Sequence, residues 1–321
     1  MPTVLSGVLI VFTLVFSIRA RDYLRLRHIQ GPLWAGWTKA WLVKSQLSGR
    51  LNLILADLNV KYGPLVRIAP NWVVCGDASE LRRIWAVRPP WQRGQWYKGL
   101  RIDPYRDNTF TAVDEGVHET LRSKLLPGYA GKDVDNVHEL IDEQVADLIR
   151  LLETKYLSTA TDFKAVDLAQ KAQYFTLDVI SSLAFGKAFG YLVSDEDKFG
   201  YIETTEKTVP VLLATALLPR VLSILQSLRL KSIMPSARGM VGIGTVMSLA
   251  QEAVSQRYGT SPIVKRDMLG SFIAHGLSQE DAEGETIVQI IAGSDTTATA
   301  IRSTLFCHDE PKGLLSITSR D

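Results

Sequence analysis

The 321-residue sequence has only two cysteines, Cys75 and Cys307, far apart and without ligand spacing. That excludes a disulfide framework and a zinc site, and it fits two unpaired thiols in a reducing compartment. Charge imbalance is equally scarce: 36 Lys and Arg against 34 Asp and Glu leave a net charge of +2. No polyelectrolyte partner is implied, and with no basic stripe carrying interleaved aromatics the composition argues against nucleic acid as a partner. There is no glycine-rich phosphate loop, no internal repeat and no low-complexity tract, which sets aside nucleotide cradles, solenoids and disordered scaffolds.

What the sequence does have is an ordinary globular balance, 46% hydrophobic and 22% charged, with one departure at the start. Met1 to Ile18 carries no charged side chain, and Val8 to Phe16 is strongly apolar. Arg19, Arg21, Arg25 and Arg27 follow. The cationic flank lies on the C-terminal side, opposite to a cleaved signal peptide. Residues 1–18 therefore predict an uncleaved single-pass membrane anchor, with the arginines and the bulk of the chain held cytosolic by the positive-inside bias. Residues 19–46 read as a basic hinge containing Gly31-Pro32.

Apolar spacing predicts a helix over 47–62, and Leu65 to Val74 reads as two short strands about a Pro70-Asn71 turn. Asp77 is a candidate N-cap for a helix reaching Trp85. Arg88 to Thr111, rich in Pro, Gly, Asp and aromatics, reads as a long loop. From Glu115 the chain is nearly all helix, over 115–126, 132–155, 166–186, 196–213, 237–258 and 279–306. Pro127-Gly128, Gly186, Pro210, Pro219, Pro235 and Gly259 supply starts and stops. Val211 to Leu222 is unusually apolar yet too broken to span a bilayer. It is either buried core or a surface that meets a membrane or roofs an apolar site.

The last helix carries the strongest signal. Ile287, Ile290, Ile291, Ala298, Ile301 and Leu305 hold helical spacing, yet Gly293-Ser294-Asp295-Thr296-Thr297 falls in the middle. Glycine and β-branched threonine are poor mid-helix residues. A threonine hydroxyl can bond back to the carbonyl one turn earlier and loosen the ladder, so a bend or widening is expected. A broken local rule in a long regular element often marks a functional site.

Ala292-Gly293-Ser294-Asp295-Thr296-Thr297 fits, without mismatch, the pattern Ala/Gly-Gly-x-Asp/Glu-Thr-Thr/Ser of the central helix of the cytochrome P450 superfamily, which the chain resembles. The flanks, Asp267 to Phe272 and Ala300 to Arg302, are similar to fungal members of the pisatin-demethylase-like kind. The resemblance implies a mainly helical fold with a small β-hairpin near the N-terminus. It implies haem b as cofactor, a small organic substrate, an NADPH-dependent reductase as electron source, an endoplasmic reticulum membrane location, and a role in fungal secondary-metabolite biosynthesis. By the same resemblance Asp295 and Thr296 are the catalytic pair, passing protons to the oxygen being activated, and Ala292, Gly293 and Thr297 line the haem side of the helix. His118 and Arg122, one turn apart, are similar to the family's Trp-x-x-x-Arg pair on a haem propionate, with histidine in the tryptophan position. An exposed polar pair on a solvated helix is the other reading. Lys61 to Ile68 resembles the first strand pair, and the likeness covers residues 1 to 306.

Three family features that should follow the central helix are absent: a Glu-x-x-Arg pair, an aromatic-rich meander, and the loop Phe-x-x-Gly-x-x-x-Cys-x-Gly that supplies the axial thiolate. Glu80 to Arg83 and Glu119 to Arg122 match the short pattern by chance, and neither Cys75 nor Cys307 is preceded by Phe-x-x-Gly. No metal ligand is therefore assigned. The expectation is the N-terminal two-thirds of the fold, 47–306 forming a partial catalytic domain and 307–321 a non-family tail, with the change at Phe306 explained by a gene-model error. A chain without the thiolate is expected to be inactive by itself. The alternatives are a haem-free remnant and a membrane-tethered helical interaction protein docking through 211–222.

Overall fold

The computed structural model describes residues 2–86, 91–101, 103, 106–225, 243–259 and 261–309. It divides into two compact units: residues 1–100 with 207–234, and residues 101–206 with 235–321.

The first unit holds helices α1 (Pro2–Arg25), α2 (Ala40–Leu47), α3 (Leu51–Tyr62) and α4 (Ala78–Ile84), and strands β1 (Leu65–Ala69) and β2 (Trp72–Cys75). The strands pair antiparallel in the order β1-β2, with Leu65 opposite Cys75, so the Pro-Asn turn is where the sequence puts it. The expected helix over 47–62 divides at Ser48-Gly49, where Gly49 takes a positive φ of 69°. Asp77 caps α4 by accepting from the Ser79 and Glu80 amides. Leu42, Ile68, Ala69 and Leu217 form the core of this unit.

Helix α1 forms, but it runs through the basic flank rather than stopping before it. Its last turns are tied to the body: Tyr23 stacks on Trp37 at 4.6 Å, and the buried Arg67 guanidinium donates to the Asp22 and Tyr23 carbonyls, both at 3.0 Å. Among the described residues no helix is long and apolar enough to cross a membrane, so the spanning segment expected over 1–18 is not borne out. Leu9, Ile10, Phe12, Leu14 and Phe16 nevertheless stand exposed on α1.

The second unit is helical. It contains α5 (Glu115–Tyr129), α6 (Val137–Leu151), α7 (Leu168–Phe185), α8 (Tyr191–Ser194), α11 (Ile243–Ser255), α12 (Met268–Ala274) and α13 (Gln279–Asp309). The unit boundary falls within α9 (Tyr201–Ala216), and α10 (Pro219–Leu225) belongs to the first unit. Residues 237–242 of the helix expected over 237–258, and 310–321 of the expected tail, lie outside the described residues. Residues 307–309 continue α13.

Two expected helix stops are overturned: Pro127 and Pro210 lie inside α5 and α9. A proline removes only its own amide from the ladder, and Pro127 falls in the last turn of α5. Gly128 beside it serves packing instead, since a Cβ there would stand 2.7 Å from the Phe272 ring of α12. The 211–222 stretch divides between the two readings: Ala214, Ala216 and Leu217 are buried, while Val211 and Val221 are exposed.

Buried polar contacts join α7 to the C-terminal end of α8. Lys171 pairs with Asp195, lies 5.0 Å from the ring centres of both Tyr156 and Tyr174, and Asp195 also accepts from the Tyr156 hydroxyl at 2.8 Å. Asp195 sits at φ 56°. Lys171→Met keeps the stem but leaves the acid unpaired by this lysine, and it is expected to lower the thermal midpoint by several degrees in a melting scan.

Candidate functional site

Helix α13 is built around a stripe of buried residues, Ile287, Ile290, Ser294 and Ala298, at the spacing that brings side chains onto one face. The helix packs on α7. A Cβ at Gly293 would stand 2.9 Å from Ile180 Cγ1, so the missing side chain is what lets the two helices approach here. Ala292, Asp295, Thr296 and Thr297 turn the other way and are exposed.

The helix is continuous through this turn. The expected local bond is present: the Thr296 hydroxyl donates to the Ala292 carbonyl at 2.8 Å. Asp295 lies 3.7 Å from the Arg302 guanidinium two turns on, and Arg302 also donates to the Thr299 hydroxyl at 2.7 Å. Arg302 stands in the sequence only as part of a flank of the motif, yet it is the ion-pair partner of Asp295. Its seven-residue offset from Asp295, two helical turns, was the available signal.

On α5, His118 is buried with Leu121 and Leu125, its Nδ1 3.8 Å from a Glu115 carboxylate oxygen, while Arg122 one turn later is exposed. The structure thus puts Asp295 and Thr296 on α13 and His118 and Arg122 on α5 of the same unit. An open depression of about 760 Å³ lies against α5, lined by Arg106, Val117, Thr120, Lys124 and Asp281 among others. None of the seven candidate residues lines it.

A second missed residue is Glu285, two turns before Ala292 and almost fully buried. Its Oε1 accepts from both the Thr109 amide, at 2.6 Å, and the Thr109 hydroxyl, at 2.7 Å. This pins the end of the long loop onto α13. The signal was a carboxylate amid the apolar stripe of a helix, which is rarely buried without a partner. Burial raises the Glu285 carboxyl above the usual carboxylate range, opposed by the two Thr109 bonds. It also pushes Tyr129, near Glu285, up to about 12.

An acid with a raised folded-state pKa contributes stability below its unfolded pKa, and loses it as pH rises through the folded value. Glu285→Gln keeps an oxygen for both Thr109 bonds. It is expected to flatten the dependence of urea midpoint on pH in that window, without loss of stability at neutral pH. An unchanged slope would reject the assignment.

Arg122 carries a guanidinium, which suits a carboxylate partner, and the exposed face of α13 offers a small residue, Ala292, beside a hydroxyl and an acid. Neither cysteine lies beside that face. Cys307 lies ten residues beyond Thr297 on the same helix, about 15 Å along its axis. Cys75 is on β2 in the other unit, its Sγ 3.8 Å from the Asp77 carbonyl oxygen.

The sequence profile of the cytochrome P450 family matches residues 30–308. The chain belongs to that family. It is 38% identical over 310 residues to the cytochrome P450 monooxygenase ABA1 of Pyricularia oryzae, an alignment covering 94% of this chain and 60% of the relative. It is 37% identical over 284 residues to aba1 of Botryotinia fuckeliana, covering 87% and 56%. With abl1 of Leptosphaeria maculans it shares 34% over 302 residues, covering 92% and 53%. The chain thus spans between about half and three-fifths of the length of these relatives.

Proposed function

We propose that this chain carries the oxygen-handling side of a haem-thiolate monooxygenase acting on a small organic substrate. The observation that carries the reading is the exposed Asp295–Thr296 pair on α13, with the Thr296 hydroxyl bonded to the Ala292 carbonyl and Asp295 beside Arg302. Bound haem b would supply the redox chemistry that activates dioxygen with electrons from an NADPH-dependent reductase. Arg122, with His118, would hold a propionate by charge-assisted hydrogen bonds. Thr296 would hold a proton at Oγ1, having a hydroxyl that can leave its carbonyl partner and return to it. Asp295, exposed to water, would replenish that proton from solvent. Ala292 and Thr297 would border the macrocycle, and Gly293 would keep α13 seated on α7. The fungal relatives support a role in secondary-metabolite biosynthesis.

The exposed apolar face of α1 supports attachment to the endoplasmic reticulum membrane. Deleting residues 1–18 is expected to move the chain from the membrane pellet to the supernatant, and an unchanged partition would refute the anchor.

The 321 residues contain no Phe-x-x-Gly-x-x-x-Cys-x-Gly loop, and by themselves they are proposed to be inactive. The expressed chain, reduced under carbon monoxide, is expected to give no thiolate-type absorbance band. Appearance of that band would overturn the inactivity, and its absence in a form extended by the thiolate loop would overturn the monooxygenase reading.

A further inference from the structure

Trp37 touches α1 at two places. Its ring stacks on Tyr23 at 4.6 Å and on Phe16 at 6.5 Å. Tyr23 and Phe16 lie two helical turns apart on one face of α1, with Arg19 and Arg21 between them in the chain. The short 3-10 turn that Trp37 closes, Leu33–Gly36, therefore sits beside the place where the apolar run of α1 gives way to its arginines. In that turn Leu33 is 89% exposed and Trp34 71%, whereas Ala35 and Gly36 are buried. The Trp37 amide donates to the Trp34 carbonyl at 3.1 Å, which keeps Trp34 within one turn of the stacked ring.

These parts are tied together. Besides the Asp22 and Tyr23 carbonyls of α1, the Arg67 guanidinium donates to the Gly36 carbonyl at 3.3 Å and the Pro70 carbonyl at 2.7 Å. Asn71 makes a second tie. Its Oδ1 accepts from Arg25 at 3.0 Å, and its Nδ2 donates to the Asp22 carboxylate at 3.1 Å. A Cβ at Gly36 would stand 2.9 Å from the Tyr23 ring, so the missing side chain admits that ring. The end of α1, the 3-10 turn and the β1-β2 turn thus form one connected piece within the first unit.

On this piece the apolar and cationic groups are sorted by position. Leu9, Ile10, Phe12 and Leu14 are exposed on the N-terminal side of the Trp37 contacts. Arg19, Arg21, Arg25 and Arg27 follow, all exposed, and Asp22 is the one acid in residues 1–40. Apolar side chains, then a tryptophan level with a row of arginines, match the layering of a lipid surface with anionic headgroups. A second copy docking through the same surface would set arginines against arginines.

We propose that the exposed side of α1, its arginines and the Leu33–Trp34 tip form one docking surface for an anionic phospholipid bilayer, with Leu33 and Trp34 seated at headgroup level. The proposal rests on the attachment reading of α1 and adds a contact borne by the folded body, so that the first unit meets the bilayer in one orientation. Two side chains are too small a contact to hold the chain without α1.

The test sediments the full chain with vesicles of phosphatidylcholine, with and without phosphatidylserine. Binding is expected to be tighter to the anionic vesicles, by a margin that shrinks as salt is raised. An arginine near an anionic surface strengthens binding roughly fivefold, so Arg19→Gln with Arg21→Gln is expected to cut that margin roughly tenfold or more. Leu33→Ser with Trp34→Ser is expected to weaken binding to both vesicles roughly tenfold. Val60→Ser, at a side chain 90% exposed on α3, is the control and leaves binding unchanged. An unaltered melting midpoint checks that each variant keeps its fold. Wild-type chain that pellets with neither vesicle would overturn the attachment reading and this proposal together. Binding that needs residues 1–18 yet ignores the change at Leu33 and Trp34 would overturn this proposal alone. Equal binding to neutral and anionic vesicles would overturn the headgroup assignment. A lipid-free dimer in sedimentation velocity, lost in the Leu33→Ser, Trp34→Ser variant, would show that a second copy covers the surface instead.

Discussion

Asp178→Ala is expected to destabilise the second unit by about 3–5 kcal/mol, enough to consume a large part of a typical domain's margin. Asp178 lies on α7 at 1% exposure, and its carboxylate accepts from the amides of Gly190 at 2.7 Å, Tyr191 at 3.1 Å and Leu192 at 2.8 Å. These amides sit at the start of α8, where a helix has no internal acceptors and where Gly190 offers no side-chain cap. Each amide left unsatisfied costs roughly 1–3 kcal/mol, and the three are not additive because the turn relaxes once it is released. The same carboxylate positions Tyr191, which packs against Tyr174 at 5.7 Å between ring centres. Burial raises its pKa, and the three amide bonds oppose that shift without cancelling it. Urea denaturation at constant slope measures the effect. Asp178→Asn should fall between, since its amide nitrogen must replace one of the two accepting oxygens. A loss below about 1 kcal/mol for the alanine variant would show that the turn finds other partners.

Asp267→Ala is expected to cost about as much by a different route. Asp267 and Arg257 form an ion pair whose side chains are each 5% exposed. One carboxylate oxygen pairs with Arg257, and the other caps α12 by accepting from the Gly270 amide at 2.8 Å. Removing the acid strands a buried guanidinium, a change that typically costs about 3–5 kcal/mol, and uncaps a helix, worth about 1 kcal/mol more. The Arg257 Nη1 lacks a partner, and besides Asp267 the guanidinium has only a long contact, 3.5 Å from Nη2 to the Phe185 carbonyl. The discriminating variant is the double change Arg257→Met with Asp267→Asn. It retains a capping oxygen and removes both charges, and it is expected to recover more than half of the loss in the same denaturation experiment. Equal destabilisation of the single and double variants would mean that neither the lost cap nor the stranded charge carries the effect.

Helical spacing was enough to place α5, α7 and α13 to within a few residues, because each buries a wide apolar stripe and the period of that stripe is a property of the chain alone. The strand pair and the Asp77 cap were legible for a similar reason: turn residues and cap residues act over three or four positions. The prolines were misleading as stops. Whether Pro127 ends a helix depends on whether one lost amide bond is offset by the packing of Gly128 on Phe272, and that packing joins residues 144 apart in sequence. The basic flank of α1 misled similarly, since Tyr23 and Arg67 anchor that end through contacts 44 residues apart.

By itself the sequence determined the family, through six consecutive residues in a helix whose neighbours keep their period, and it determined that the two cysteines do not stand in the pattern of an axial ligand. Those are statements about local order, and local order is written along the chain. Only the tertiary structure decided that Gly293 faces Ile180, that Arg302 reaches Asp295, and that Glu285 holds Thr109. Each of these depends on which face of α13 is covered and by what. Apart from the Arg302–Asp295 contact, they pair residues far apart in sequence, and burial then turns ordinary hydroxyls and carboxylates into groups that must find partners.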